Sequence, residues 1–237
     1  MNPGLPGGFL LVLEGIDGTG KSTQADAVAR ALEARGLPVV RTGEPTNGPW
    51  GRRLRESAAS GRLSPEEELH AFLEDRKQHV AELIRPALAA GKVVISDRYY
   101  FSTMAYQGAR GMDPEELRRR NEAFAIEPHL LVVMDLPPEA GRERIGRRDG
   151  AANEFETLAQ LTRSREIFRS LDKPYLIRLD ATRPREELRD AILLAFGQKA
   201  VERLCALPDL SVRERLLASG RVFGMTEETV LRPPWPA

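Results

Sequence analysis

The stretch that decides the fold is residues 9–28, FLLVLEGIDGTGKSTQADAV. It passes from an apolar run, through a glycine-rich turn, into a segment of helical composition. The run FLLVL is too short for a secretion signal core or a membrane span, and reads as a strand buried on both faces. Gly15, Gly20, Lys21 and Ser22 satisfy the pattern G-x-x-x-x-G-K-[ST]. Small residues let the backbone curl so that successive N–H groups point at phosphate oxygens, and the following helix adds the positive end of its dipole. In such a cradle Ile16, Asp17, Gly18 and Thr19 fill the variable positions and Thr23 follows the hydroxyl residue. Lys21 would reach the β- and γ-phosphates, and the Ser22 hydroxyl would bind Mg²⁺. Asp17 is electrostatically awkward beside phosphates: either it forms the turn, or it faces an acceptor. The cradle alone does not say whether a nucleotide is hydrolysed, used as a phosphoryl donor, or only held.

The rest of the chain narrows this. Its 237 residues suit one α/β domain, with 41% hydrophobic and 30% charged residues. Lys+Arg and Asp+Glu both number 35, so no global field draws the chain to nucleic acid or to a membrane surface. A single cysteine, Cys205, excludes an internal disulfide framework and a cysteine-built zinc site, and fits a reducing cytoplasm.

Four further apolar runs, LPVVRT from Leu37, KVVIS from Lys92, HLLVVMDL from His129 and PYLIRLD from Pro174, predict a parallel sheet of about five strands. Helical stretches alternate with them. STQADAVARALEARG ends on Gly36, and a long stretch from Ser64 to Gly91 opens with Ser64 as N-cap and Pro65 in the first turn. The expected fold is therefore a doubly wound α/β layer of the P-loop NTPase type, with ligands at the carboxyl ends of the strands. GRERIGRRDGAANEFE, about residues 141–156, is dense in arginine and broken by Gly, Ala and Asn, and reads as a mobile lid. Residues 1–197 are expected to form the nucleotide-binding domain. Residues 198–237 are expected to be a helical extension, either a hairpin or partly disordered.

A guanine-reading N-K-x-D motif is missing: LDKPY at 171–175 has the wrong order. A small P-loop chain with an Arg-rich flap fits transfer to a small acceptor, the flap excluding competing water. The second anchor is SDRYYFSTMAYQG from Ser96, at the end of the third strand. Asp97 is placed for Mg²⁺ and Arg98 to fork onto an acceptor phosphate, although such a pair by itself is also a common structural ion pair.

With EGIDGTGKSTQ, EPTNGPWG, DRYYFSTMAYQG and LDATRPREEL in order, the chain resembles the thymidylate kinases, among the nucleoside monophosphate kinases. The likeness covers about residues 9–197. It implies transfer of the γ-phosphoryl of ATP to dTMP with Mg²⁺, in dTTP synthesis, by a cytoplasmic homodimer that needs neither membrane nor nucleic acid. Carried over by residue, it implies that Phe72 stacks on the thymine and Arg76 hydrogen-bonds its edge. It places Thr103 and Gln107 near the base, with Ser102 beside them, and has Tyr106 crowd a ribose 2′-OH. Arg98 would grip the acceptor phosphate, Asp17 meet its sugar, and Glu44 and Pro45 lie near the phosphates and metal. Phe155 falls over the sugar, and Asp180 and Ala181 lie beside the adenine. The alternatives are a kinase of another nucleoside monophosphate or deoxynucleoside, and a catalytically weak nucleotide-binding regulator.

In the family further positive charge comes from arginines of the lid or of the cradle; this cradle contains none, so the resemblance implies that the lid supplies it, from Arg142, Arg144, Arg147 or Arg148. Two positions depart from the common family pattern: Gly43 stands where arginine often precedes Glu-Pro, and Glu154 where the lid is often basic. Arg147 and Arg148 are then the expected catalytic lid residues.

Overall fold

Every residue of the first strand is buried, including the carboxylate of its last residue, Glu14. The computed structural model describes residues 4–61, 63–149 and 157–231. Strands β1 (Phe9–Glu14), β2 (Val39–Gly43), β3 (Val93–Asp97), β4 (Leu130–Asp135) and β5 (Leu176–Asp180) are the five runs expected from sequence. They form one parallel sheet in the order β2-β3-β1-β4-β5. The helices run α1 (Lys21–Ala34), α2 (Pro49–Ser60), α3 (Pro65–His79), α4 (Arg85–Ala89), α5 (Tyr100–Ala109) and α6 (Pro114–Glu122). They continue as α7 (Pro138–Asp149), α8 (Leu158–Ser170), α9 (Arg185–Ala206), α10 (Val212–Val222) and α11 (Glu227–Leu231). No helix among the described residues is long and apolar enough to cross a membrane.

The apolar run of β1 is explained by its two faces. Side chains alternate across a strand, so Phe9, Leu11 and Leu13 join one core with Val28 and Leu32 of α1 and Ile192 and Phe196 of α9. Leu10 and Val12 join the opposite core with Leu73 of α3, Phe101 and Met104 of α5, and Phe168 of α8. Each such side chain contributes about 1.5–3 kcal/mol by leaving water. Because β1 pairs with β3 on one side and β4 on the other, the chain reverses direction at its carboxyl end, which opens a crevice there.

Local chemistry sets the helix ends. Ser64 caps α3 in a capping box with Glu67, and Pro65 opens it. The stretch expected as one long helix is continuous but widens to a π-turn at Val80–Ile84, where the Arg85 N–H reaches Val80 O. Pro86 lacks an N–H and its ring crowds the carbonyl four residues back, which favours the wider turn just before it.

Two stretches are more regular than their composition suggests. The first nine residues of the expected lid are helical: α7 runs through Gly141 and Gly146 to Asp149. Each glycine costs roughly 1 kcal/mol in a helix, but Gly141 lets α7 approach the loop after β1. A Cβ on Gly141 would stand 2.6 Å from Asp17 O, and one on Gly18 would stand 2.5 Å from Gly141 O. Residues 150–156 of the expected lid lie outside the described residues. The tail, for its part, is built into the body. Helix α9 crosses the 197/198 boundary unbroken, and Ala200, Leu204, Ala218 and Val222 share the core of Phe9 and Leu11. Arg35 Nη1 also donates to Val222 O at 2.9 Å.

Candidate active site

The turn after β1 needs three backbones that side chains disfavour, and glycine supplies each: Gly15, Gly18 and Gly20 have φ of 137°, 83° and 88°. The loop is closed from inside. Lys21 Nζ donates to Gly15 O at 3.0 Å and Ile16 O at 2.9 Å, and Thr19 Oγ1 donates to Ile16 O at 2.9 Å. Burial lowers the Lys21 amine from its usual range to about 8, helped by Arg98 and opposed by Asp17, Asp97 and Glu14. An incoming polyphosphate would favour the charged form. The Ile16 side chain turns into the core, so the site meets only its backbone.

The pairing of β1 with β3 puts Asp97 opposite Leu13 and so beside the start of α1. There Ser22 Oγ hydrogen-bonds Asp97 Oδ2, while Asp97 Oδ1 is buried with no partner. An orphaned carboxylate oxygen next to a hydroxyl, at the mouth of a phosphate cradle, fits a hard divalent cation that takes its other ligands from phosphates and water. No cluster of three or more His, Cys, Asp or Glu ligands occurs among the described residues.

Arg98 follows directly and has a left-handed backbone, φ 71°, which is uncommon outside glycine and asparagine. Its N–H donates to Leu13 O at 2.9 Å and its carbonyl accepts from Ser96 Oγ at 2.7 Å. The side chain pairs with Asp17, donates to Ser102 Oγ at 2.9 Å and lies 5.2 Å from the centre of the Tyr106 ring.

Two clefts meet at this pair. The larger, about 510 Å³, is walled by the cradle from Asp17 to Gln24, by Asp97 and Arg98, and by Arg144, Arg147, Ala181 and Leu188. The smaller, about 180 Å³, is lined by Glu44, Pro45, Phe72, Arg76, Ser102, Thr103, Tyr106 and Gln107, again with Asp17 and Arg98. These eight residues come from the loop after β2, from α3 and from α5, so only the fold brings them together.

The detail adds to expectation at three residues. Glu44 does not turn to the phosphate side; its carboxylate takes Arg76 Nε at 2.9 Å and Nη2 at 2.5 Å, and lies 2.9 Å from His79 Nδ1. Burial alone would raise the Glu44 carboxyl, but Arg76 and His79 win and hold it below the usual range. Asp180 stands outside the cleft and accepts from Thr182 in a turn that presents Ala181. The lid arginine that reaches the cradle is Arg144, whose guanidinium bridges Gly18 O at 3.4 Å and Ala181 O at 3.1 Å. Arg147 lines the same cleft from an exposed ion pair with Glu143. The Arg148 side chain and Phe155 lie outside the described residues.

Other site-side residues, Glu14 apart, carry no sequence signature. Asn121 on α6 accepts from Arg76 Nη1 and anchors itself on Leu117 O at 2.8 Å. Asp75 holds the loop after Glu44 through Thr46 N at 2.8 Å. Glu68 accepts from Gln107 Nε2 at 3.0 Å and from Arg110. Glu14 alone had a visible clue, a carboxylate closing a wholly apolar strand.

Two clefts sharing one arginine suit transfer between two bound molecules better than hydrolysis, and fit the class of P-loop phosphotransferases. Comparison with known proteins narrows the class. The thymidylate kinase family model matches residues 13–192. The chain is 50% identical over 192 residues to a thymidylate kinase of Akkermansia muciniphila, covering 81% of this chain and 93% of that protein. It is 48% identical over 212 residues to one of Xylella fastidiosa, covering 90% and 97%. A thymidylate kinase of Xanthomonas euvesicatoria is 54% identical over 169 residues, 71% and 74% of the two chains. The chain belongs to the thymidylate kinase family.

Proposed function

We propose that the chain transfers the γ-phosphoryl of ATP to dTMP, giving dTDP and ADP, with ATP in the larger cleft and dTMP in the smaller. The observation that carries this reading is the Asp17–Arg98 pair standing in the common wall of both. Phosphoryl transfer asks for alignment and for positive charge where negative charge develops, and little covalent chemistry. The cradle N–H groups and Lys21 take the donor phosphates, and Lys21 exchanges its loop carbonyls for phosphate oxygens. Arg98 exchanges Asp17 for the acceptor phosphate, which frees Asp17 for a sugar hydroxyl. Phe72 offers its ring to the base, and Arg76, fixed by Glu44 and Asn121, offers a remaining N–H to the base edge. Arg144 and the arginines after it close the donor side against water.

Ser22 and Asp97 would hold Mg²⁺, which when bound screens charge on the phosphates. Family membership and the single exposed Cys205 support a homodimer in a reducing, cytoplasmic setting.

Arg98→Ala tests the reading. It should lower kcat/KM for dTMP about 100-fold or more while the Kd for ATP stays within about twofold. Unchanged use of dTMP would refute it.

A further inference from the structure

Glu14 is fully buried and takes no part in the transfer described above. Its Oε1 accepts from Tyr99 N at 2.8 Å and Ser102 N at 3.0 Å, and its Oε2 accepts from Ser102 Oγ at 2.6 Å. Ser102 Oγ in turn accepts from Arg98 Nη1 at 2.9 Å. These contacts form a directed chain: Arg98 donates to Ser102, and Ser102 donates to Glu14. The same carboxylate collects N–H groups where α5 begins, just after the left-handed residue whose backbone needs support.

We propose that Glu14 is a positioning residue for phosphoryl transfer: through Ser102 and the Tyr99–Ser102 turn it aims the Arg98 guanidinium at the wall between the two clefts. The inference rests on the reading of Arg98 as the acceptor-phosphate clamp. All three donors at Glu14 ask for an acceptor, so the ionised form is the one that fits. The charged groups facing it are Arg98 from the end of β3 and Lys21 from α1. Burial pushes the Glu14 carboxyl up to about 7 despite Arg98, Ser102, Tyr99 and Lys21 pulling it down.

Glu14→Gln keeps the shape but cannot accept from Ser102 on both oxygens. It should lower kcat/KM for dTMP about 10- to 100-fold, with ATP KM within about twofold and a urea midpoint at pH 8 equal to or above that of wild type. Arg98→Ala, measured alongside, separates the two claims. If Arg98→Ala also keeps wild-type use of dTMP, the clamp reading falls and this inference with it. If Arg98→Ala is crippled and Glu14→Gln is normal, only the positioning role is overturned. A Glu14→Gln enzyme whose activity falls in step with a lowered urea midpoint is merely unfolding, and that too overturns the role. Ser102→Ala is the second variant, since it removes the link and leaves Glu14 in place. It should reproduce the dTMP-selective loss, and the double variant should be no worse than Glu14→Gln alone. Wild-type kinetics of Ser102→Ala, or additive losses, would contradict the chain of contacts.

Discussion

Replacing Glu14 by glutamine should change how stability depends on pH. The carboxyl rises from an ordinary 4.5 to about 7 in the folded chain, chiefly through burial. Between the two protonation states this corresponds to about 3 kcal/mol, at about 1.4 kcal/mol per tenfold change in proton affinity. The sign follows from its direction. A carboxyl with a raised folded pKa favours folding when protonated, so its contribution is fully present below about pH 4.5 and is lost as pH rises through about 7. Glutamine titrates nowhere in this range. Taking wild type minus Glu14→Gln cancels every other titrating group. The difference should therefore move by about 3 kcal/mol against wild type between pH 4.5 and pH 8. With a urea slope of about 3 kcal/mol per molar, the gap between the two midpoints should change by about 1 M. Urea melts of both proteins at four or five pH values make the comparison. Parallel midpoints across the range would show that Glu14 titrates as an exposed carboxyl does, and the account of its burial would be wrong.

Two further predictions concern α7. Gly141→Ala places a Cβ 2.6 Å from Asp17 O and must push the cradle or the helix aside, so kcat/KM for ATP should fall about 10- to 100-fold. Gly146→Ala on the same helix meets nothing within 4 Å, and should keep wild-type kinetics while stabilising the fold by up to about 1 kcal/mol; equal effects of the two would refute the close-approach argument. Arg144→Ala, which cuts the bridge between Gly18 O and Ala181 O, should raise ATP KM about tenfold, whereas Arg147→Ala should lower kcat with ATP KM nearly unchanged. If Arg147→Ala leaves kcat intact, its pair with Glu143 is a surface contact only.

What the sequence discloses follows the range of the interactions. The five strands and the cradle are local patterns, an apolar run or fixed spacings of Gly, Lys and Ser, and they stand where those patterns put them. That Phe72, Arg76, Glu44, Pro45 and the residues of α5 line one smaller cleft was suggested by the family resemblance, since spacing alone would leave Phe72 and Arg76 as a core ring and a solvated charge. The partners of those residues were not. Arg76 meets Glu44 across 32 residues and Asn121 across 45, and Glu14 meets Ser102 across 88, distances at which no periodicity connects them. The helical course of α7 was hidden for a related reason. Glycine weakens a helix by propensity, and only the tertiary approach of Gly141 to Gly18 shows why it is used there. The tail was ambiguous because an amphipathic helix declares an apolar face without saying what it covers, and here α10 packs on α9 within the core of Phe9 and Leu11.

The central claim is that the two clefts hold a donor and a thymidylate acceptor either side of Arg98. Coupled ADP release with Mg·ATP, measured against dTMP, dUMP, dCMP, dGMP, UMP and thymidine, tests it most directly. The account predicts turnover with dTMP above all others, with dUMP next because the missing methyl group is worth only about 1–3 kcal/mol in a fitted pocket. Thymidine, which has no phosphate for Arg98, should give no acceptor-dependent release. ATP binding without release on any acceptor, or equal release on all of them, would contradict it.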